Sequence, residues 1–291
     1  MPDVAEQVET FREAPGLAPI FVRAALSRKR TSGGPLPDRT LRIEGHRVDR
    51  DHLTAYQRLC GFTGDDRLPH TYPHVLGFGL QATLLGDPRF PLPMVGLVHV
   101  ENEITVHRPL TADDVLDVTV LAENLEPHAK GRTVQLVTEV DIEGERAWDG
   151  RSTYLARGKG SDDAPAGAKP PALPSGFPAA QWRLPGDLGR EYAAISGDVN
   201  PIHLSALTAK VMGFPKAIAH GMWSYARVLG ALGHLASGPG TSHVWFKKPI
   251  LLPGSVDLVV DRNGTPLVAG LRATRKPKTE HLVLSMRTVR G

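Results

Sequence analysis

An internal repeat is the feature that most constrains the fold of this 291-residue chain. Six residues of the first half recur in the same order in the second half, each 136 positions later. They are Arg47, Asp51, Tyr56, Gly61, Gly77 and Phe78, which match Arg183, Asp187, Tyr192, Gly197, Gly213 and Phe214. Pro109 and Asp117 match Pro249 and Asp257 at a separation of 140, which implies about four extra residues in the second copy. The repeat predicts two copies of one supersecondary unit.

Each copy combines helical and extended segments in one order. A short strand and a helix come first, with Asp51 and Asp187 as the predicted N-caps, and alternating segments typical of antiparallel strands come last. The second copy also contains a segment from Ile218 to Ala236 that is apolar on nearly every side, which predicts a helix buried by a surrounding sheet. This order predicts an α+β fold in which the sheets of the two copies join edge to edge.

A segment rich in Pro, Ala and Gly divides the chain. We predict an N-terminal domain over residues 1–157, a linker over residues 158–180 and a C-terminal domain over residues 181–291. A leading helix is predicted from Pro19 to Lys29.

The composition excludes several classes of protein. Hydrophobic residues make up 41% and charged residues 22%, as is typical of a soluble globular protein, and the net charge of +3 is too small for a nucleic-acid-binding surface. The acidic N-terminal stretch and the lack of a long apolar run predict neither a secretory signal nor a membrane span. One cysteine, Cys60, excludes an intrachain disulfide. We therefore expect a cytoplasmic protein.

The densest cluster of chemically capable side chains runs from Tyr192 to His203, with the sequence YAAISGDVNPIH. On a regular helix, Asp198 and His203 would point about 140° away from each other. Gly197 and Pro201 interrupt the helix, so a bent loop is expected to turn the carboxylate and the imidazole towards one target. Such a pair is typical of general acid–base catalysis.

The run Y-x-x-x-S-G-D-x-N-P-I-H, followed about 17 residues later by H-G-M, resembles the motif of the MaoC-like dehydratases, the family of (R)-specific 2-enoyl-CoA hydratases. The resemblance covers Trp182 to Gly291 directly and reaches the first half only through the repeat. It implies a double hot-dog fold, with two tandem antiparallel sheets that each wrap around a buried central helix. It also implies interconversion of (R)-3-hydroxyacyl and trans-2-enoyl thioesters in fatty acid metabolism, with acyl-CoA or acyl carrier protein as partner and no metal or other cofactor.

The resemblance gives Asp198 and His203 the role of an acid–base pair that holds the reacting water between them. Gly221 is expected to donate its backbone N–H to the thioester oxygen, because it begins the buried helix, where backbone N–H groups lack a helical partner. Asn200 and Pro201 are predicted to support the loop.

Simpler roles stay open for the same residues. Asp198 alone is typical of an N-cap for a helix that begins at Pro201, and His203 alone is typical of a surface histidine. A metal site can be drawn from Asp198, His203 and His220, but no further ligand cluster completes it and the thioester chemistry requires no metal.

Other histidines are assigned to structural positions. His70 and His74 have the spacing of two ligands on a helix, but Pro69 and Pro73 interrupt that helix, so an exposed loop is predicted. His243 is predicted to lie in a turn without an acidic partner.

The first copy is predicted to be catalytically degenerate. At the separation of 136, Phe62 stands at the position of Asp198, Arg67 stands at the position of His203, and Thr83 to Gly86 stand at the AHGM position. The glycine-rich helix of this copy is expected to open a tunnel for a long acyl chain; the alternative is the simple loss of an unneeded site.

A basic turn near the C-terminus is a candidate carrier-binding site. Arg275 and Lys276 lie in a cluster with Arg272 and Lys278 around Pro277. This cluster is either a solvated hairpin tip or a surface that meets the phosphates of CoA or the acidic surface of an acyl carrier protein.

Two other functions fit the same pattern: a hot-dog thioesterase, and a non-catalytic subunit that binds acyl thioesters. The repeat predicts a pseudo-dimer within one chain, and whether two such chains associate stays open.

Overall fold

A computed structural model describes residues 8–17, 19–20 and 34–289, so most of the predicted leading helix, Pro19 to Lys29, lies outside the described residues. The strands are β1 Val8–Phe11, β2 Thr40–Arg47, β3 Leu97–Val106, β4 Val115–His128, β5 Gly131–Ile142, β6 Glu145–Arg157, β7 Ala180–Leu184, β8 Gly240–Phe246, β9 Gly254–Asp261, β10 Leu267–Ala273 and β11 Lys276–Thr288. The helices with described bounds are α1 Arg50–Cys60, α2 Tyr72–Leu85, α3 Leu188–Ser196, α4 Pro201–Leu204, α5 Ala206–Val211 and α6 Gly221–Leu232.

The strands form one sheet in the order β1-β2-β4-β5-β6-β3-β8-β11-β10-β9-β7. Read outwards from the β3–β8 junction, the five strands β3, β6, β5, β4 and β2 match β8, β11, β10, β9 and β7, and the pairs among them are antiparallel. The first half has one further strand, β1, which pairs with β2 in parallel. Glu103 pairs with His243, 140 positions later, so the approximate two-fold axis that relates the halves passes between these residues. The sheets of the two copies therefore join edge to edge, and the short strands β1 and β7 are left at the outer edges.

The helices α2 and α6 occupy the centres of the two halves. Most residues of both helices are buried, because nearly every face of each helix is apolar and the sheet wraps around it. Helix α6 begins at Gly221 rather than at the predicted Ile218, since Ile218 forms a bridge with Leu251 and the Ala219 N–H bonds to the Ile250 carbonyl. The fold is thus a double hot-dog.

The ends of α1 and α3 show where the repeat holds. The N-cap of α1 is Asp49 rather than the predicted Asp51, because the Asp49 carboxylate accepts the N–H groups of Asp51 and His52. Asp187 precedes α3 without a capping side-chain bond. Gly61 and Gly197 end the two helices with φ angles of 74° and 73°, a left-handed conformation that glycine adopts at little cost.

After these two glycines the separation of 136 fails. The bridge between Arg67 and Thr111 in the first half matches the bridge between Ile218 and Leu251 in the second. Arg67 lies six residues after Gly61, whereas Ile218 lies 21 residues after Gly197, so the second half has 15 additional residues here. This insertion contains α4 and α5.

Part of the predicted alignment is therefore wrong. Gly77 and Phe78 lie inside α2, whereas Gly213 and Phe214 lie in the loop after α5. Arg67 corresponds to Ile218 rather than to His203, and Leu68 to Thr71 stand at the AHGM position instead of Thr83 to Gly86. His203 has no counterpart in the described part of the first half, because the insertion carries it.

Residues 158–179 contain neither helix nor strand. Gly158 and Ser161 bond to the turn between β4 and β5, and the later part of the segment contacts the second half. The Ala168 carbonyl accepts a bond of 3.2 Å from the Trp245 indole, and the Gly176 carbonyl accepts one of 2.7 Å from the Arg272 guanidinium. The domain limits at residues 157 and 181 stay a prediction. In the described ranges, every helix is too short or too polar to cross a membrane.

Candidate active site

A cavity of about 430 Å³ lies between the two halves. The first half contributes residues of α2, β3 and β6 to its wall, and the second half contributes the inserted loop, the start of α6 and the end of β8. The predicted residues Asp198, Asn200, His203 and Gly221 all line this cavity.

Polar side chains bend the loop that leads into the insertion. Ser196 Oγ accepts the Asp198 N–H at 3.2 Å, Asp198 Oδ1 accepts the Asn200 N–H at 3.2 Å, and Asn200 Oδ1 accepts the Ile202 N–H at 3.4 Å. Asn200 is the N-cap of α4, and Pro201 occupies its first turn, where no N–H bond is lost. Asp198 is therefore not the cap of this helix, and its Oδ2 stays available to the cavity.

His203 is a buried histidine with one ring nitrogen engaged, not a surface residue. Its Nδ1 donates to the Ile218 carbonyl at 2.8 Å, which leaves a lone pair on Nε2 in the neutral ring. Burial lowers the pKa of His203, and the nearby Asp198 carboxylate only partly opposes this effect. The neutral ring is therefore favoured, with Nε2 as a proton acceptor.

The Asp198 carboxylate is the second acceptor of the site. Burial raises its pKa, while His203 and the Asn200 N–H act in the opposite direction. Ligand atoms of Asp198, His203 and His220 all lie within 4.8 Å of one another. Two acceptors at this spacing can each receive one hydrogen of a single water molecule at ordinary hydrogen-bond lengths of about 2.8 Å.

His220 contacts both of the other residues. Its ring stacks on the His203 ring at a centroid distance of 3.6 Å, and its Nε2 donates to the Asp198 backbone carbonyl at 3.0 Å. Burial lowers the pKa of His220 well below the usual value, so the ring is neutral. His203 and His220 each donate one ring N–H to a backbone carbonyl, and these hydrogen bonds account for the positions of the two rings. The expectation that the site binds no metal stays a prediction.

Gly221 is the first residue of α6, so its N–H points out of the positive end of the helix. Among the described residues no group accepts a hydrogen bond from this N–H. A Cβ at this position would lie 3.0 Å from the Phe246 ring, so glycine lets Phe246 and a ligand approach the backbone closely.

Two lysines that the sequence analysis did not single out lie at the cavity. Lys247 and Lys248, at the end of β8, are exposed and line it, as does Arg157 of the first half. The signal available in the sequence is the KKP turn after a strand. Arg275 and Lys276 are exposed at the tip of the β10–β11 hairpin and are not part of the cavity wall.

Two predictions about histidines are wrong. His70 and His74 are buried, and His74 lies in α2, because Pro73 occupies the first turn of that helix and breaks nothing there. His243 lies within β8 and contacts the carboxylates of Glu101 and Glu103 on the neighbouring strand. The burial of His70 and His74 and the acidic partners of His243 come from contacts between segments far apart in the sequence.

Tandem sheets around buried helices, with a carboxylate and an imidazole facing one cavity, define a double hot-dog protein equipped for acid–base chemistry. Residues 185–281 match the family model of the MaoC like domain. The chain is 36% identical over 253 residues to 3-hydroxyacyl-thioester dehydratase X of Mycobacterium tuberculosis, which is 86% of each protein. It is 29% identical to dehydratase Y of the same organism over 57% of this chain and 62% of that protein. The chain therefore belongs to the MaoC-like dehydratase family.

Solved structures agree with this assignment. The crystal structure of HtdX of M. tuberculosis superposes with a TM-score of 0.76 and 33% identity, covering 86% of this chain and 100% of that one. A MaoC-like dehydratase from Phytophthora capsici has the same fold, with a TM-score of 0.69 at 17% identity over 86% of this chain and 94% of that one.

Proposed function

We propose that this protein is a hydro-lyase that interconverts (R)-3-hydroxyacyl thioesters and trans-2-enoyl thioesters in fatty acid metabolism. One observation carries the proposal: Asp198 and His203 have ligand atoms within 4.8 Å of each other, in a cavity that Gly221, with its unpaired N–H, also lines. The relatives named as 3-hydroxyacyl-thioester dehydratases support the same chemistry.

In the hydration direction, a water donates one hydrogen to the Asp198 carboxylate and the other to His203 Nε2. This arrangement turns a lone pair of the water oxygen towards C3 of the enoyl thioester. As the oxygen–C3 bond forms, one acceptor takes a proton, and the C2=C3 electron pair shifts towards C2 and the thioester oxygen. The Gly221 N–H stabilises the charge on that oxygen. Transfer of the held proton to C2 completes the addition, and dehydration is the reverse.

Asn200 and Pro201 support this geometry rather than react. The Asn200 N–H bonds to Asp198 Oδ1 while its side chain caps α4, and Pro201 starts the helix that carries His203. Both residues therefore fix the distance between the two acceptors.

The first half supplies the binding wall for the acyl chain. Six apolar residues on its side of the cavity favour a hydrocarbon chain: Val75, Phe78, Leu85, Met94, Leu97 and Val98. Among the described residues, this half places no carboxylate in the cavity wall, so we propose one reacting centre per chain, within a C-terminal domain of residues 181–291.

The carrier is CoA or acyl carrier protein, both of which bring negative charge. Lys247, Lys248 and Arg157 offer positive charge at the exposed parts of the cavity wall, and Arg275 with Lys276 offers a second cluster on the hairpin tip. We place the activity in the cytoplasm and without a cofactor.

A spectroscopic assay tests the proposal. Purified full-length protein is mixed with a trans-2-enoyl-CoA, and the absorbance of the conjugated thioester is followed together with free thiol. Loss of absorbance without thiol release, with an (R)-3-hydroxyacyl-CoA product, is the expected result. Thiol release would instead indicate a thioesterase, and binding without either change would indicate a non-catalytic subunit.

A further inference from the structure

A buried polar network surrounds His74 in the first half, next to the apolar wall of the cavity. Gln81 Nε2 donates to Thr138 Oγ1 at 2.8 Å, and the Tyr154 hydroxyl donates to Gln81 Oε1 at 3.3 Å. Asn102 Nδ2 donates to Ser152 Oγ at 2.9 Å. Such a network is costly to bury in a hydrocarbon-binding wall unless its groups are paired.

The network fixes which nitrogen of His74 carries the hydrogen. Gln81 Nε2 lies 3.4 Å from His74 Nδ1, and Ser152 Oγ lies 3.5 Å from the same atom. The Gln81 oxygen is occupied by Tyr154, so the amide nitrogen faces His74, and Ser152 already accepts from Asn102. The Gln81 amide nitrogen can only donate, so Nδ1 is the acceptor in this contact. The hydrogen of the neutral ring is therefore on Nε2.

His74 Nε2 has no hydrogen-bond partner in the part of the chain that the structure describes, and His74 lines the cavity. Burial lowers the pKa of His74 to about 4, so the ring is neutral at physiological pH. His74 thus presents an oriented N–H donor beside Val75 and Phe78, where the neighbouring cavity wall is apolar.

A row of rings links this donor to the reacting centre. The His74 ring lies 6.0 Å from the His99 ring, and the His99 ring lies 5.0 Å from the Phe246 ring, which packs against Gly221. An acyl chain that leaves the thioester at Gly221 and follows these rings reaches His74 several atoms beyond C3.

The matching position of the second half is closed. By the bridges that align the halves, His74 corresponds to Tyr225, which is fully buried and whose hydroxyl bonds to Ser242. Only the first-half residue of this pair lines the cavity.

We propose that His74 recognises an oxygen atom on the acyl chain beyond C3, so that the preferred substrates are thioesters whose chains carry a further keto or hydroxyl group. The inference rests on the proposed function and narrows its substrate class. A purely apolar wall rejects such an oxygen, because burial removes its bonds to water; a neutral N–H donor replaces one of them.

The experiment compares pairs of trans-2-enoyl-CoA substrates of equal chain length, one plain and one with a keto or hydroxyl group at successive positions beyond C3. In the wild-type protein, kcat/KM for at least one oxygenated substrate is expected to equal or exceed that of its plain partner. The measured quantity is the ratio of kcat/KM for the oxygenated substrate to kcat/KM for its plain partner. In His74→Phe, which keeps a ring but removes the donor, this ratio is expected to fall about 5- to 10-fold. Separate keto and hydroxyl series show which group is bound.

Gln81→Met tests the orienting network, since it removes the group that directs the His74 hydrogen into the cavity, and the ratio is expected to fall in the same direction. His107→Phe is the matched control, the same substitution at an exposed histidine outside the cavity, and it should leave the ratio as in the wild type. The inference is overturned if every oxygenated substrate is at least about 10-fold poorer than its plain partner in the wild type, or if His74→Phe leaves the ratio unchanged. Failure of the plain substrates to react at all would instead refute the proposed function.

Discussion

The two halves connect the same pair of structural positions with loops of very different length. Six residues lead from Gly61 to Arg67 in the first half, and 21 lead from Gly197 to Ile218 in the second. The flanking helix ends, the bridge to the sheet and the central helix are alike. The difference teaches that an insertion brings His203 to a frame that the two halves share, whereas Gly221 stands where the first half has His70.

The central helices of the two halves differ in the part that faces the cavity. Helix α6 offers its N-terminus to the cavity and buries a satisfied Tyr225, whereas α2 offers its side, with Val75, Phe78 and His74. One half therefore supplies the chemistry and the other supplies the wall against which the substrate lies.

Replacing residues 198–217 with residues 62–66 gives the second half the short connection of the first. We expect hydration to fall by about 10⁴-fold, because both proton acceptors are lost together. The protein should still unfold cooperatively in a thermal melt, since Leu207 and Val211 of the insertion are 76% and 82% exposed and add little to the core. Enzymatic turnover close to that of the wild type would show that the inserted loop is not the reacting centre.

Asp198→Asn and His203→Ala remove the acceptors one at a time. Each is expected to lower kcat by on the order of 10² or more, with a melting temperature close to that of the wild type. Steady-state hydration kinetics and thermal melts measure both effects. Arg67→Ala is the control from the first half, where Arg67 is exposed and outside the main cavity, and an equal loss of kcat there would contradict the assignment of one reacting centre.

Gly221→Pro removes the N–H donor at the start of α6 while keeping a residue suited to the first helical position. The backbone of His220, with φ −64° and ψ 139°, is compatible with a following proline. We expect kcat to fall by about 10²-fold. Gly221→Ala adds a Cβ near Phe246 but keeps the N–H, so it separates crowding from loss of the donor. Equal losses in the two variants would mean that crowding alone explains the effect.

Charge reversal compares the two basic clusters of the second half. In Lys247→Glu/Lys248→Glu, KM for the thioester should rise about 3- to 10-fold, more at low ionic strength, and kcat should change less than KM. Arg275→Glu/Lys276→Glu gives the same measurement for the hairpin tip. If KM in either variant equals that of the wild type across a salt series, with both CoA and carrier-protein substrates, that cluster does not bind the carrier and is only a solvent-exposed basic surface.

Local chemistry made much of this molecule predictable from its sequence. The glycines that end α1 and α3, the all-apolar helix α6 and the alternating strands are set by short-range backbone and burial preferences, so the α+β class follows from the residues. The hot-dog fold was expected from the resemblance to the MaoC-like dehydratases. The bend that turns Asp198 towards His203 is also local, because each polar side chain bonds to a backbone N–H two residues away.

Tertiary structure alone decided which residues of the two halves are equivalent and which of them share the cavity. The change in separation from 136 to 140 shows only a net difference of four residues. The Arg67–Thr111 and Ile218–Leu251 bridges resolve it into 15 extra residues before Ile218 and 11 fewer between the two bridged positions. The burial of His74, its tautomer and its place beside the reacting centre depend on Gln81, Ser152 and Tyr154, which lie on other turns and strands. Contacts between distant segments set burial and hydrogen-bond partners, and no local pattern encodes those contacts.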